Sequence, residues 1–137
     1  MSIRRNTFGK PEKLCSKSVI SGLIENGNLI HTPLLKVIWN TSPVLLPFPA
    51  QIAFSVSKRN FKLAVTRNLI KRRLREAYRR QKNTLYDFLA AEKKQLVMIL
   101  IVRGNDVPDF SRVENAIADV MYKLLRALRV EEKQKKS

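Results

Sequence analysis

The sequence predicts a single α+β domain, and three observations lead to this prediction. The chain has 137 residues, 45% of them hydrophobic, which is enough to bury a core without disulfide staples. Strand-like alternation and helical periodicity occur in the order helix, strands, helix, strand, helix. No repeat or linker divides the chain. Residues 1–137 are therefore expected to form one domain with a mostly antiparallel central sheet, folded from about residue 8 to 130.

The first half of the chain predicts one helix and two or three strands, of which two can be placed. Residues 16–26 carry apolar residues at helical spacing, and Gly27 is expected to end this helix in a left-handed conformation. Residues 34–40 and 52–57 alternate between two kinds of side chain, as strands with one buried face do. The proline-rich connection between them predicts that these two strands are antiparallel neighbours.

The second half predicts a basic helix from about residue 64 to 81, then a strand and a last helix. The continuous apolar run at 96–102 favours a central strand that is covered on both faces. Ser111, with Glu114 three residues later, fits a capping box that opens the last helix. The polar tail 131–137 is expected to fray.

Charge is concentrated in one part of the chain. The net charge is +16, and residues 58–82 hold 11 basic residues and one acidic residue, Glu76. Such a concentration favours a binding surface for a polyanion over a merely soluble surface. Nucleic acid is the leading candidate, with an anionic membrane surface as the alternative. No apolar run reaches the ~18 residues of a membrane span, and the first residues do not form a signal peptide, so a cytoplasmic protein is expected.

The chain offers little for catalysis of its own. Cys15 is the only cysteine, which excludes an internal disulfide and a zinc knuckle. The 11 acidic residues form no cluster suited to two metal ions, and His31, the only histidine, is expected in a surface loop. We therefore expect no catalytic residue, no metal site and no bound cofactor on this chain.

The basic helix separates two kinds of side chain around its axis. At ~100° per residue, one face is apolar and is expected to pack on the sheet: Ile70, Leu74, Ala77 and Tyr78. A neighbouring arc is polar and basic: Asn68, Lys71, Arg72, Arg75 and Arg79. Like charges at this spacing repel, and arginine forks suit phosphate, so the arc predicts RNA contact. Arg67 lies at the edge of the apolar face, where it would contact RNA or, alternatively, satisfy a structural carbonyl.

The strands predict a groove. If the apolar sides of the strands, Trp39 included, face the helices, the opposite sides show Lys36, Ile38, Ala53, Ser55 and Ser57. Ile20 and Ile24 of the first helix are placed to form one wall. A shallow, mildly basic trough of this kind suits single-stranded RNA, although a solvated sheet face would show the same pattern.

Two segments identify a family. The stretch Ser55-Val56-Ser57-Lys58-Arg59, followed by the helix segment AVTRNLIKRRLREAY at 64–78, resembles the signature of the bacterial ribonuclease P protein subunit. The similarity extends from about residue 14 to 128 but is strong only over 55–78. Two departures are Leu69, where many members have arginine, and the longer turn at 60–63. At Ile20 and Ile24 the family often has aromatic residues.

The resemblance implies a specific role. Members form a compact α/β sandwich with a left-handed β-α-β crossover through the basic helix. They bind a catalytic RNA that removes the 5′ leader of precursor tRNA using magnesium. The implied partners are that RNA and precursor tRNA, with no membrane or DNA. Together with the helix pattern, the resemblance predicts that the RNA-binding residues are Lys58, Arg59, Arg67, Asn68, Lys71, Arg72, Arg75 and Arg79. The leader is expected in a groove of Ile20, Ile24, Lys36, Ile38, Ser55 and Ser57.

Two other functions remain open at this point. A ribosomal or other structured-RNA-binding protein without a role in cleavage would have the same composition. A DNA-binding regulator could place the basic helix in a major groove, but such proteins usually dimerise to match their half-sites.

Overall fold

The structure, a computed structural model, describes the backbone of residues 8–136 and the side chains of residues 8–130. The predicted α+β order is confirmed, with one additional short strand. The elements are α1 (Lys17–Asn26), β1 (Asn28–His31), β2 (Leu35–Thr41), β3 (Ala50–Ser55), α2 (Ala64–Ala91), β4 (Leu96–Val102) and α3 (Phe110–Lys136). A short 3₁₀ turn, Lys10–Glu12, precedes α1.

The four strands form one sheet in the order β1-β2-β4-β3. β1 pairs with β2 and β2 with β4, both antiparallel, whereas β3 pairs with β4 in parallel. The expectation that β2 and β3 are neighbours is wrong, because β4 lies between them. β4 carries apolar side chains on both of its faces, so burial favours the centre of the sheet for it. The left-handed sense of the β3-α2-β4 connection stays a prediction.

Helices cover both faces of the sheet. The larger core lies between the sheet and the pair α2 and α3, and it contains Val37, Trp39 and Ile52 as predicted. A smaller core lies on the opposite face, where Leu23 of α1 packs with Ile38 and Ile99. This arrangement leaves one end of the α1 face uncovered.

Two helix boundaries have different causes from those predicted. Gly27 is extended rather than left-handed, with φ −72°. A side chain there would place its Cβ 2.4 Å from a methyl carbon of Ile38, so close approach between α1 and β2 requires glycine. At the start of α3, the carboxylate of Asp109 accepts a hydrogen bond from the Arg112 N–H at 2.8 Å. Asp109 therefore caps the helix, and the capping box predicted at Ser111 is wrong.

Both long helices extend beyond their predicted ends. α2 continues to Ala91, ten residues past Gln81, because Leu85 and Leu89 continue its buried face. The backbone of α3 is helical as far as Lys136, so it includes most of the segment that was expected to fray.

Residues 8–14 lie along the outer edge of β3. The Leu14 N–H donates to the Ile52 carbonyl at 3.0 Å. The ring of Phe8 packs edge-on against Phe54 and Tyr78, with centroids 5.8 Å from each. The amino-terminal segment therefore covers a sheet edge that would otherwise expose unpaired backbone groups.

Candidate RNA-binding surface

The amino-terminal half of α2 presents a basic face to solvent, which we define as Asn68, Lys71, Arg72 and Arg75. Ile70 and Leu74 are completely buried beneath it and fix the rotation of the helix on the sheet. Asn68 and Arg72 are exposed, and Lys71 and Arg75 are partly exposed. Within the described part of the chain, none of these three cations forms an ion pair with a carboxylate. Their repulsion is uncompensated, which favours the binding of an anion.

Arg67 has a structural role in this state of the protein. Its Nη1 donates to the carbonyl oxygens of Phe61 at 2.8 Å and Lys62 at 2.9 Å. Leu63, the residue before α2, supplies no side-chain cap. Arg67 therefore holds the loop that enters the helix, which is the structural alternative that its place on the wheel left open. Contact with RNA at Arg67 stays a prediction.

Arg79 marks the point where the basic character of the helix ends. Its Nε donates to the Glu76 carboxylate at 3.0 Å, and the Nε of Arg80 reaches the same carboxylate at 3.2 Å. The hydrogen bond from Arg79 lowers the pKa of Glu76, and Glu76 in turn raises the pKa of Arg79. Arg80 also lies 3.5 Å from Glu114 of α3. The charge of Arg79 is thus compensated, unlike the charges on the basic face.

The turn between β3 and α2 carries two more of the predicted RNA-binding residues, Lys58 and Arg59, in exposed positions. Ser57 shapes this turn, because its hydroxyl oxygen accepts from the Arg59 N–H at 3.0 Å. Its carbonyl accepts from the N–H of Phe61, also at 3.0 Å, and the Phe61 side chain is buried. Lys58 and Arg59 are therefore presented at the same end of the sheet as the basic face.

The strand register brings three groove residues into one row. Lys36 pairs with Ile101 across β2 and β4, and Ser55 pairs with Ile101 across β3 and β4. Lys36 and Ile101 are partly buried and Ser55 is exposed. This row, Lys36–Ile101–Ser55, crosses the sheet at the carboxyl ends of β3 and β4, near the turn that leads to α2. Ile101 was not predicted as a groove residue, because both faces of its strand are apolar and hide any alternation.

α1 closes the part of the groove that was predicted around Ile38. Ile38 is only 7% exposed and packs with Leu23, so its expected position on an open surface is wrong. Ile20 is partly buried against the same cluster, whereas Ile24 is 62% exposed. The open surface therefore consists of the Lys36–Ile101–Ser55 row, with Ile20 at its border.

Other cations of the basic stretch are used within the fold. Lys82 is 2% exposed and its Nζ donates to Glu12 at 2.6 Å. Arg73 donates from Nη1 to the Pro108 carbonyl at 2.6 Å and holds the loop before α3. The sequence count of basic residues therefore overstates the charge that is free for a partner. The positions of Arg73 and Lys82 on the helix do not reveal this, because their partners, Pro108 and Glu12, come from distant segments.

Possible metal ligands and nucleophiles lie apart from one another. Among the described side chains, no three of His, Cys, Asp or Glu lie together as a metal site would require. Cys15 is exposed. His31 is the last residue of β1 rather than part of a loop, and its carbonyl accepts from Lys123 at 2.8 Å. No helix in the described residues is long and apolar enough to cross a membrane.

Known proteins resemble this chain in sequence and in the arrangement of their helices and strands. The chain is 30% identical over 120 residues to the ribonuclease P protein component of Porphyromonas gingivalis, covering 86% of this chain and 88% of the relative. The fold resembles that of the Staphylococcus aureus RNase P protein, with a TM-score of 0.63, 18% identity, and coverage of 82% and 94% of the two chains. The RNase P protein from Thermotoga maritima has a similar fold, with a TM-score of 0.61 and 18% identity, and the match covers 80% of this chain and 94% of that protein. The Ribonuclease P family profile matches residues 8–125, and the chain therefore belongs to the ribonuclease P protein family.

Proposed function

We propose that this chain is the protein subunit that assists a catalytic RNA in removing the 5′ leader from precursor tRNA. Membership of the family makes it a component of ribonuclease P, an endoribonuclease of tRNA processing. The finer proposal is that the RNA holds the magnesium and cuts the substrate, while the protein positions both RNAs. Its own residues supply cations and a surface for single-stranded RNA.

One observation carries the proposal: α2 is buried on one side and unpaired and cationic on the other. Ile70 and Leu74 have no exposed surface, whereas Lys71, Arg72 and Arg75 point away from the core without acidic partners in the described residues. A helix held against the sheet presents its cations at fixed backbone positions, and the planar guanidinium of arginine loses less side-chain freedom per hydrogen bond to a phosphate. We assign the catalytic RNA to this face.

The groove supports a second contact, with the leader. The Lys36–Ile101–Ser55 row offers a cation, an apolar surface and a hydroxyl, which together suit a flexible single strand. It lies at the same end of the sheet as the turn with Lys58 and Arg59. An RNA that occupies the basic face would therefore bring a bound substrate close to the groove.

The decisive experiment is cleavage of precursor tRNA by the ribonuclease P RNA from the same genome, at low magnesium, with and without this protein. We expect faster cleavage at the mature 5′ end when the protein is present. The protein alone is expected to leave the substrate intact at every magnesium concentration. Stable association with ribosomal subunits, together with no stimulation of cleavage, would instead favour a structural role in another RNA complex.

A further inference from the structure

A second groove lies between the edge strand β1 and the carboxyl-terminal half of α3, on the face of the sheet opposite α1. One wall is formed by β1 and the other by α3, with Trp39 between them. Its cavity measures about 550 Å³, and its lining includes Leu29, Ile30, Trp39, Lys123 and Arg126. None of the residues predicted to bind RNA belongs to it.

Trp39 lies between the two walls of this groove, and its indole N–H is a buried hydrogen-bond donor without a partner among the described residues. Its side chain is 4% exposed, and its Nε1 has no hydrogen-bond partner among the described residues. A buried indole N–H normally finds an acceptor, because leaving it unpaired is unfavourable. An acceptor of a bound molecule would satisfy this group once the side chains that cover it move aside.

The α3 wall of the groove is cationic. Lys123 holds the helix to β1 through the His31 carbonyl, and its ammonium has further protons to donate. Arg126 is exposed and lines both this groove and an adjoining depression that contains Tyr122 and Arg129. Tyr122 is 67% exposed, which leaves an aromatic ring beside two guanidinium groups.

This surface is separate from the basic face of α2. The guanidinium of Arg129 lies 5.8 Å from the centre of the Phe88 ring, which places the depression beside the end of α2. Phe88 follows Arg75 by 13 positions, or about 20 Å along a helix at about 1.5 Å per residue. A phosphate bound at Arg75 therefore cannot also contact Arg126 or Arg129.

The chemistry favours RNA as the occupant. Lys123, Arg126 and Arg129 are each about 60° from the next around the helix axis and together span about 120° of one helix face. Asp119 lies one turn before Lys123. The cations match phosphate oxygens, and the exposed ring of Tyr122 offers a stacking surface for a base. We propose that the β1–α3 groove is a second RNA-binding site, which takes a single-stranded segment of the RNA in the complex. This inference rests on the proposed function, since it assigns a further surface to the same kind of partner.

The single tryptophan makes the site directly observable, because Trp39 is the only one in the chain. The full-length protein would be titrated with in vitro transcribed ribonuclease P RNA from the same genome. Trp39 emission would be recorded in parallel with the anisotropy of a fluorescein label on the RNA. We expect the emission to change and to saturate together with the anisotropy.

Variants separate this site from the rest of the protein. Arg126→Ala should weaken binding roughly tenfold and lower the log–log salt slope by about one unit. Lys10→Ala removes one charge at the opposite edge of the sheet and should change affinity by less than about twofold. Trp39→Phe, followed by anisotropy, should weaken binding about two- to tenfold without changing the salt slope, because it removes the N–H donor and part of the ring between the two walls but no charge.

Two results would overturn the inference: Trp39 emission that stays constant while the RNA is fully bound, or equal affinities for Arg126→Ala and Lys10→Ala. A groove that responds to another protein but not to RNA would also overturn it. The cleavage assay keeps the two proposals apart. If the wild-type protein stimulates cleavage but Trp39 emission does not change on RNA binding, only this inference is rejected. If the protein neither binds the RNA nor stimulates cleavage, the proposed function is rejected.

Discussion

Lys82 and Glu12 are 70 residues apart in the sequence, and their side chains form a buried ion pair with 2.6 Å between Nζ and Oε2. The Tyr86 hydroxyl donates to the same carboxylate oxygen at 2.6 Å, and the Tyr78 hydroxyl donates to Tyr86 at 3.1 Å. Burial raises the pKa of both tyrosines, so each stays protonated and can donate. This cluster attaches the amino-terminal segment to the middle of α2.

Removing one partner of this pair should destabilise the fold. Lys82→Met leaves the Glu12 carboxylate buried without its cation, and we expect the free energy of unfolding to fall by about 3–5 kcal/mol. The double variant Glu12→Gln/Lys82→Met should recover much of that loss, because no buried charge remains. Urea unfolding of both variants measures this. A loss below about 1 kcal/mol in the single variant would show that the pair is not important for stability.

The Glu76–Arg79 pair should make stability depend on pH in the acidic range. The pKa of Glu76 is lowered from its ordinary value of 4.5, so the folded state favours the ionised carboxylate. Its contribution is present above that ordinary value and is lost as the pH falls through the lowered pKa. Unfolding free energies of the wild type and Glu76→Gln should therefore differ at neutral pH and converge in acid. A difference that is constant with pH would rule out this linkage.

Local patterns predicted what local contacts determine. The apolar face of α2, with Ile70 and Leu74, follows from helical periodicity, and the buried β4 follows from its unbroken apolar run. The order of the strands could not be predicted from local patterns, because β3 pairs with β4, which is separated from it in the chain by the whole of α2. Lys82 illustrates the same limit. In the sequence it is one more cation of the basic stretch, and its burial depends on an ion pair with Glu12, which comes from a distant segment.

The candidate site divides in the same way. The basic face could be predicted because it depends on spacing within one helix. Two other features could not be predicted, because they depend on contacts between separate elements. Arg67 donates to a carbonyl of the preceding loop, and α1 covers Ile38. Ile101 completes the groove row only through its register with Lys36 and Ser55, and a sequence pattern carries no register.

Arg67 should support RNA binding chiefly through the loop before α2. Arg67→Ala loses two hydrogen bonds to the carbonyls of Phe61 and Lys62, so we expect a loss of about 1–3 kcal/mol in stability. It should also give faster proteolysis within residues 58–63. Arg67→Lys should restore part of the stability, since an ammonium can reach a carbonyl but lacks the planar fork. Unfolding and limited proteolysis measure this. Unchanged stability combined with weaker RNA binding would point instead to direct contact.

Lys36 should distinguish precursor tRNA from mature tRNA. Lys36→Ala removes the cation of the Lys36–Ile101–Ser55 row, and we expect the complex with the catalytic RNA to bind precursor tRNA more weakly by about 0.5–1.5 kcal/mol. Binding of mature tRNA, which has no leader, should change little and serves as the control. Competition binding with the two tRNAs measures the difference. An equal loss for both would remove Lys36 from the leader site.

Arg75 should contribute to assembly with the catalytic RNA through the basic face. If it contacts a phosphate, Arg75→Ala should weaken assembly by about 1–3 kcal/mol and lower the log–log salt slope by about one unit. The fold should persist, because alanine suits a helix and Arg75 is partly exposed without an acidic partner in the described residues.

Arg73 is unsuitable as a control for Arg75, since it donates a hydrogen bond to the Pro108 carbonyl. Lys10→Ala carries the same charge change on an exposed residue that lies outside the basic face, and it is the control. Titrations at several salt concentrations measure both variants, and an equal effect of the two would mean that α2 contributes only diffuse charge.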